Sequence, residues 1–188
     1  MSAAKVVLRD VLRRERAALP SPYREDATAR VNERLTQHPA VRAGLRVGGY
    51  AATPAELNID NVLARIIATH GQVYLPRVVD DHIEFCACDA LNTLQAGFAG
   101  IREPIGEAIS VATLDVLLIP GVGFDKTGQR LGHGAGHYDR ILAQLGSHCV
   151  TIGVAFGVQI VTQIPTEAHD RPVQMVLTEG AVYPAHGL

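Results

Sequence analysis

Six of the sixteen residues from Gly121 to Gly136 are glycine, where an even spread of the chain's 18 glycines over 188 positions would give roughly 1.5 (18/188 × 16). They belong to a continuous stretch, VLLIPGVGFDKTGQRLGHGAGHYDRIL, covering residues 116–142. Val116 to Ile119 is a short apolar run closed by Pro120, the pattern of a strand buried on both faces of a parallel sheet. From His137 to Leu142 the residues suit the first turns of a helix. Strand, glycine loop and helix start together hold phosphate well, because glycine lets backbone N–H groups come close and the helix dipole favours negative charge. Lys126 and Arg130 add cations. A long surface loop would also account for the glycines. Asp139 falls in the first helical turn, where a carboxylate near bound phosphates is tolerated mainly with Mg²⁺ between them. An acid there also suits the helix dipole by about 0.3–1 kcal/mol, so both readings stand.

Several other chemistries are excluded by spacing. No G-x-x-x-x-G-K-[ST] is present, and Gly132-His133-Gly134 is followed three positions on by His137, so both nucleotide loops with a standard fingerprint are absent. The tetrapeptide Asp125-Lys126-Thr127-Gly128 also occurs in the phosphorylated loop of cation-pumping ATPases, but no apolar run here reaches the roughly 18 residues of a membrane span. His133 and His137 would align as metal ligands only on a helix, which Gly134 and Gly136 disfavour. No serine-histidine-acid or cysteine-histidine set stands out. Away from the loop, Lys5 and Arg9 stand one helical turn apart and repel by a few tenths of a kcal/mol unless an anion lies between them. A solvated basic helix face explains them equally. Glu56 falls in a loop after a predicted strand, at the edge where ligands gather in open α/β sheets, although a solvated carboxylate needs no ligand.

The elements that must position these residues alternate between helix and strand. Residues 3–19 read as a helix with Leu8, Val11, Leu12, Ala18 and Leu19 as the apolar stripe and Lys5, Arg9, Arg13 and Arg16 largely off it. Pro20 ends it, and Ser21-Pro22 predicts a side-chain cap for a second helix carrying Ala27, Val31 and Leu35. A first strand within 41–51 is centred on 46–50. Asn58 is placed to cap a third helix, ended by Gly71. Strands follow at 73–75 and, by alternation, at 83–87, with Asp80-Asp81 as a turn between them. Residues 105–113 read as connection, and Val150 to Phe156 as a further strand. The whole, residues 1–188, is expected to form a single three-layer α/β/α domain with a mainly parallel sheet. A net charge of −2 and a pI near 6.4 give no global attraction for nucleic acid or an anionic membrane. Three cysteines without C-x-x-C spacing argue for a reducing compartment, and with no signal-peptide core the expected location is cytoplasmic.

Residues 120–140, PGVGFDKTGQRLGHGAGHYDR, resemble the signature of the 5-formyltetrahydrofolate cyclo-ligase (methenyltetrahydrofolate synthetase) family: Pro-Gly-x-x-Phe-Asp, then Gly-x-Arg-Leu-Gly-x-Gly-x-Gly, an aromatic pair and Asp. Lys5-Val6-Val7-Leu8-Arg9 resembles the family's N-terminal Lys-x-x-x-Arg, and Ile101-Arg102-Glu103-Pro104 a short Ile-x-Glu-Pro element. The resemblance implies a Rossmann-like fold akin to sugar-phosphate isomerases and CoA transferases. It implies ATP- and Mg²⁺-dependent cyclisation of 5-formyltetrahydrofolate to 5,10-methenyltetrahydrofolate, releasing ADP and phosphate. By the same resemblance ATP is bound by Lys5, Arg9 and the run Arg130, Leu131, Gly132, His133, Gly134, Ala135, Gly136, His137 and Tyr138, with Arg130 and Tyr138 catalytic. The reduced folate is contacted by Ala51, Glu56, His133 and His137, and Mg²⁺ by Asp139. The partners expected are those two small molecules, the chain being a monomer or weak homodimer. Three positions depart from the family pattern. Ala135 stands where Gly or Lys is usual, His137 replaces the first aromatic, and Gln174 replaces an aspartate that helps hold Mg²⁺, so a second metal contact is expected to be weak. A paralogue that keeps the nucleotide cradle for another ligand is the alternative.

Overall fold

The computed structural model describes residues 3–41, 45–168 and 170–185. In chain order the helices are α1 (Ala3–Ala17), α2 (Ser21–Gln37), α3 (Asp60–Ala68) and α4 (His137–Leu142). The longer strands are β1 (Arg46–Gly48), β2 (Gln72–Val79) and β3 (His82–Ala87), followed by the short β4 (Gln95–Ala96), β5 (Arg102–Glu103) and β6 (Ala108–Ile109). Then come β7 (Val116–Pro120), β8 (Gly123–Asp125), β9 (Arg130–Leu131), β10 (Val150–Val154), β11 (Ile160–Val161), β12 (Met175–Leu177) and β13 (Val182–Pro184).

One eight-stranded sheet organises the fold, in the order β13-β12-β10-β7-β1-β2-β3-β6. Its centre, β12, β10, β7, β1 and β2, is parallel throughout, while β13, β3 and β6 run antiparallel at the two edges. The unalternating run at 116–119 is the middle of that sheet and is fully buried, as a strand covered on both faces must be. On one face lie Ala27, Val31 and Leu35 of α2 with Val62, Leu63 and Ile66 of α3. On the other, Ile141 of α4 packs with Leu117, Ile119 and Phe124. This is the expected three-layer arrangement. Because all five central strands point the same way, their C-terminal ends lie along one edge. The loop carrying Ala51 and the segments after Pro120 and Val154 leave from that edge.

Local chemistry shifted several boundaries. Ser21 does not cap α2: Pro20 holds the cap position with no side-chain hydrogen bond. Asn58 Oδ1 accepts the Asp60 N–H at 2.6 Å, one residue short of the cap, which Ile59 occupies. At the far end of α3 it is His70, at φ +63°, that takes the left-handed conformation expected of glycine. The Gly71 N–H then returns to the Ile66 carbonyl at 2.8 Å. The 105–113 connection contains the edge strand β6. Residues 42–44 of the first-strand region lie outside the described residues.

The largest correction concerns α1. Lys5, Arg9, Leu12 and Arg16 are its buried residues, whereas Val6, Val7 and Val11 are exposed at 44%, 63% and 43%. The helix therefore docks through a basic face with Leu12 buried in it and Leu8 partly so, while Val11 of the expected stripe faces out. Leu12 packs with Val122, Leu131 and Ile164, and the charged residues beside it find polar partners over the sheet edge. An apolar-stripe count assumes the docking face is apolar, and here the opposing surface is made of carbonyls and carboxylates. Val7→Lys is accordingly expected to change unfolding free energy by less than about 0.5 kcal/mol. Leu12→Ala should cost about 2–5 kcal/mol, both measured by denaturant titration. A docked Val7 face would reverse that order.

Candidate active site

β8 and β9 form a hairpin over the C-terminal edge, and β9 delivers Arg130 beneath the glycine loop. Gly134 and Gly136 sit at φ +113° and +69°, conformations that side chains other than glycine rarely adopt, and Gly136 is the residue from which α4 starts. The left-handed turns confirm that His133 and His137 do not share a helix. A Cβ on Gly132 would lie 2.6 Å from Arg130 Nη1, so the absence of a side chain is what allows the guanidinium to pass under the loop.

Arg130 is 8% exposed. Its Nη2 lies 3.3 Å from Asp139 Oδ2, its guanidinium sits 5.2 Å from the Tyr138 ring centroid, and its Nε is buried with no partner among the described residues. Burial pushes the guanidinium pKa down and Asp139 opposes that, leaving a charged group, since arginine does not deprotonate in proteins. Burial likewise raises the Tyr138 phenol, with Glu56 adding to it, so the hydroxyl is neutral and available as a donor.

α1 closes the loop from above. Arg9 Nε donates to the Gly132 carbonyl at 2.7 Å, and Arg13 Nη2 lies 3.3 Å from His133 Nδ1. Lys5 Nζ contacts Asp170 Oδ2 at 2.5 Å and Glu167 Oε2 at 3.0 Å. Although burial opposes it, these two carboxylates hold the Lys5 ammonium above its ordinary pKa. On the β1 side, Glu56 is folded inward: Oε2 accepts the Thr53 N–H at 2.9 Å, and Oε1 lies 3.5 Å from His133 Nε2. Burial would raise the Glu56 pKa, but the donors from His133 and Thr53 outweigh it and keep the carboxyl below its usual range. His137 contacts Arg140 Nη2 at 3.0 Å, and burial and that cation lower its pKa.

All of these groups line one cavity of about 620 Å³. Lys5, Arg9, Ala51, Glu56 and the entire run 130–139 border it, so the residues to which the family resemblance gave ATP, folate, catalytic or Asp139 metal roles face the same space. Lys126, expected to add a cation to the loop, does not border it and instead lies 5.8 Å from the Tyr183 ring centroid. The size falls within the range that takes a small-molecule ligand. One end is polar and glycine-rich, whereas the other is walled by Pro76, Val78, Ile83, Phe98 and Ile101. That apolar wall has no motif in the sequence. Its only signal was the Ile101-Arg102-Glu103-Pro104 element, which forms one side of the β4–β5 hairpin. Glu167 and Asp170 were missed because nothing in the linear sequence connects them to Lys5, 162 and 165 residues away respectively.

Gln174 does not border the cavity. It precedes β12 at the opposite, N-terminal edge, where its Oε1 accepts the Thr151 N–H at 3.0 Å. The expectation that it stands at a metal position is thereby corrected, while His169, beside it in the tail, lies outside the described residues. For a magnesium ion the cavity provides Asp139 and, across it, Glu167 and Asp170. No cluster of three or more ligating side chains exists among the described residues. That donor set suits a magnesium ion held mostly by phosphate and water, as nucleotide-bound Mg²⁺ is, rather than by a protein cage.

A profile of the 5-formyltetrahydrofolate cyclo-ligase family matches residues 1–179. The 5-formyltetrahydrofolate cyclo-ligase of Mus musculus is 28% identical over 196 residues, covering 95% of each chain. That of Escherichia coli K12 is 29% identical over 181 residues, covering 92% of this chain and 99% of the relative. Among solved structures, the 5,10-methenyltetrahydrofolate synthetase of Aquifex aeolicus superposes with a TM-score of 0.86 at 28% identity, covering 98% of this chain and 94% of that one. The synthetase of Mycoplasma pneumoniae superposes at 0.77 with 23% identity over 93% of this chain and 98% of that one, a likeness of fold. The glycine loop, the apolar-walled cavity beside it and a profile match over nearly the whole length agree: this chain belongs to the 5-formyltetrahydrofolate cyclo-ligase family of enzymes.

Proposed function

We propose that this chain uses ATP to close 5-formyltetrahydrofolate to 5,10-methenyltetrahydrofolate, releasing ADP and phosphate. The observation that carries the reading is Arg130: a guanidinium buried under a loop of backbone N–H groups, with an unpartnered Nε, at the polar end of a cavity whose other end is apolar. A buried cation with an unmet donor is costly unless an anion completes it. A triphosphate at that end and a reduced folate against Pro76, Val78, Ile83 and Phe98 would meet in the middle.

The chemistry requires positioning more than a nucleophile. A formamide oxygen is a poor leaving group. Transfer of the γ-phosphoryl group to it, with ADP leaving, makes the formyl carbon electrophilic. The neighbouring folate nitrogen then attacks that carbon, its proton departs, and phosphate is expelled with the C–O bond. Arg130 and the amides of 132–136 neutralise charge on the transferred group, and Tyr138 donates from the helix start. Lys5 and Arg9 hold the remaining phosphates from above. Glu56, ionised and turned into the cavity, accepts from donors on the folate, with Ala51, His133 and His137 beside it. Mg²⁺, when bound, would neutralise phosphate charge near Asp139, with Glu167 and Asp170 the further carboxylates within reach of that end. Two bound small molecules need no nucleic acid or membrane partner. A cytoplasmic location and a monomer or weak dimer complete this reading, and no helix among the described residues is long and apolar enough to cross a membrane.

The direct test is methenyl absorbance on mixing the protein with 5-formyltetrahydrofolate and MgATP, with no signal when ATP is omitted. Lys5→Ala and Arg9→Ala should each weaken ATP binding by about 1–3 kcal/mol in calorimetry, the range for a lost charge-assisted hydrogen bond. Unchanged affinity in both would remove α1 from the nucleotide site. Glu56→Gln should raise the folate KM and leave the ATP KM nearly unchanged, and a shift in the ATP term instead would reverse the assignment of the two ends. For the metal, Asp139→Asn should abolish turnover while the fold survives, with the melting temperature lowered by loss of the Arg130 ion pair. Full activity of that variant at limiting Mg²⁺ would exclude Asp139 from the ion.

A further inference from the structure

His133 lies on the glycine loop, yet both of its ring nitrogens face other elements. Nδ1 is 3.3 Å from Arg13 Nη2 on α1, and Nε2 is 3.5 Å from Glu56 Oε1 on the loop after β1. An arginine can only donate, so Nδ1 is the acceptor, and the ring proton belongs on Nε2, directed at the Glu56 carboxylate. Glu56 is anchored on its other side by the Thr53 N–H. The result is a chain of four groups, Arg13, His133, Glu56 and Thr53, linking α1, the glycine loop and the loop after β1 at the cavity wall. One turn earlier on α1, Arg9 binds the carbonyl of Gly132, the residue next to His133. Arg16 and the Tyr50 and Tyr138 hydroxyls are the other ionisable groups whose fields reach Glu56.

The loop that carries His133 has little to hold it otherwise. Gly134 and Gly136 flank its exit in left-handed conformations, and the His133 side chain is 55% exposed. Fixing such a loop costs conformational entropy, which whichever ligand binds first must meet.

Building on the functional reading above, we propose that His133 is a positioning residue that makes ATP and the reduced folate bind with positive coupling. Phosphates ordering the glycine loop fix His133, which fixes the Glu56 carboxylate for the folate. Folate on Glu56 orders the loop for phosphate in return. Coupling between two equilibria is reciprocal, so each ligand tightens the other by the same factor. The factor expected is about fivefold or more, the lower end of measured coupling between sites.

The test is calorimetry with 5-formyltetrahydrofolate and a β,γ-methylene ATP analogue with Mg²⁺, each titrated alone and in the presence of the other at saturation. In the unmodified chain each should tighten the other by that factor. In His133→Ala both ligands should still bind singly, each more weakly because the side chain borders the cavity, and the factor should fall to about one. His133→Gln, whose amide retains an acceptor for Arg13 and a donor for Glu56, should recover part of it. A merely structural role would weaken single-ligand affinities or the melting temperature and leave the factor in place. Independent binding in the unmodified chain, or an undiminished factor in His133→Ala, overturns the coupling and leaves the functional reading intact. Failure of either ligand to bind the unmodified chain overturns the functional reading and the coupling together.

Discussion

The site depends on one arrangement: a helix at the start of the chain docks its basic face onto the C-terminal edge of the sheet. Lys5, Arg9 and Arg16 are each less than a tenth exposed, and each ends on oxygen. Arg9 and Arg16 bind carbonyls of the glycine stretch, at Gly132 and Gly121, and Lys5 binds carboxylates of the segment before β12. Burying three cations is expensive unless every one is met by an acceptor, and burial, helped by the neighbouring Arg24 and Arg13 charges, lowers the Arg16 pKa. The helix therefore has little freedom to slide or rotate. In that one orientation it presents positive charge to the space above the loop, so the side chains that the proposed function gives to phosphate are the same ones that dock the helix.

A second tie works from below. Asp125 is 1% exposed, and its carboxylate accepts from the Thr127 N–H and hydroxyl, the Gln129 N–H and the Ile164 N–H, at 2.6–3.1 Å. With its oxygens engaged by four donors and buried, it is no phosphoryl acceptor, whatever the tetrapeptide Asp125-Lys126-Thr127-Gly128 does elsewhere. It fixes the turn between β8 and β9, and hence Arg130. It also fixes the start of the segment that carries Glu167 and Asp170 back to Lys5. The carboxylates that hold Lys5 and the guanidinium beneath the glycine loop are thus registered to one another through a single buried acid.

The central strand, the glycine loop, the start of α4 and the residues from 130 to 139 were legible because each is a local pattern, and local patterns fix local conformation. Whatever depends on distant partners was not. The docking face of α1 was read only in part: Leu8, Leu12 and Leu19 pack inward as expected, but nothing within residues 3–17 reveals that the opposing surface is polar and takes Lys5, Arg9 and Arg16 as well. Gln174 was given a metal position by its place in a motif, whereas the backbone turns there and directs its amide to Thr151 at the far edge of the sheet. The apolar wall is assembled from β2, β3 and the β4–β5 hairpin, one or two residues from each, so no stretch of sequence carries it. His70 shows the same limit at smaller scale, because a Gly beside it made glycine the natural choice for the left-handed residue.

The three departures from the family pattern bear on whether the cavity still suits the family's chemistry. Ala135 and Gly134 lie at the cavity with only a methyl group between them and the space, so the backbone amides remain accessible. His137 opens α4, and its ring contacts Arg140, which in turn donates to the Asp81 carbonyl on the β2–β3 turn. That position ties the helix start to the hairpin, while the aromatic face over Arg130 comes from Tyr138, the residue after it. Gln174 lies off the cavity with its amide oxygen satisfied by backbone. None of the three removes a charged group from the polar end or a wall residue from the apolar end. A repurposed cradle would have to be recognised by a lost charge or a blocked cavity, and all of Lys5, Arg9, Arg130, Asp139 and Glu56 remain, facing one another across open space.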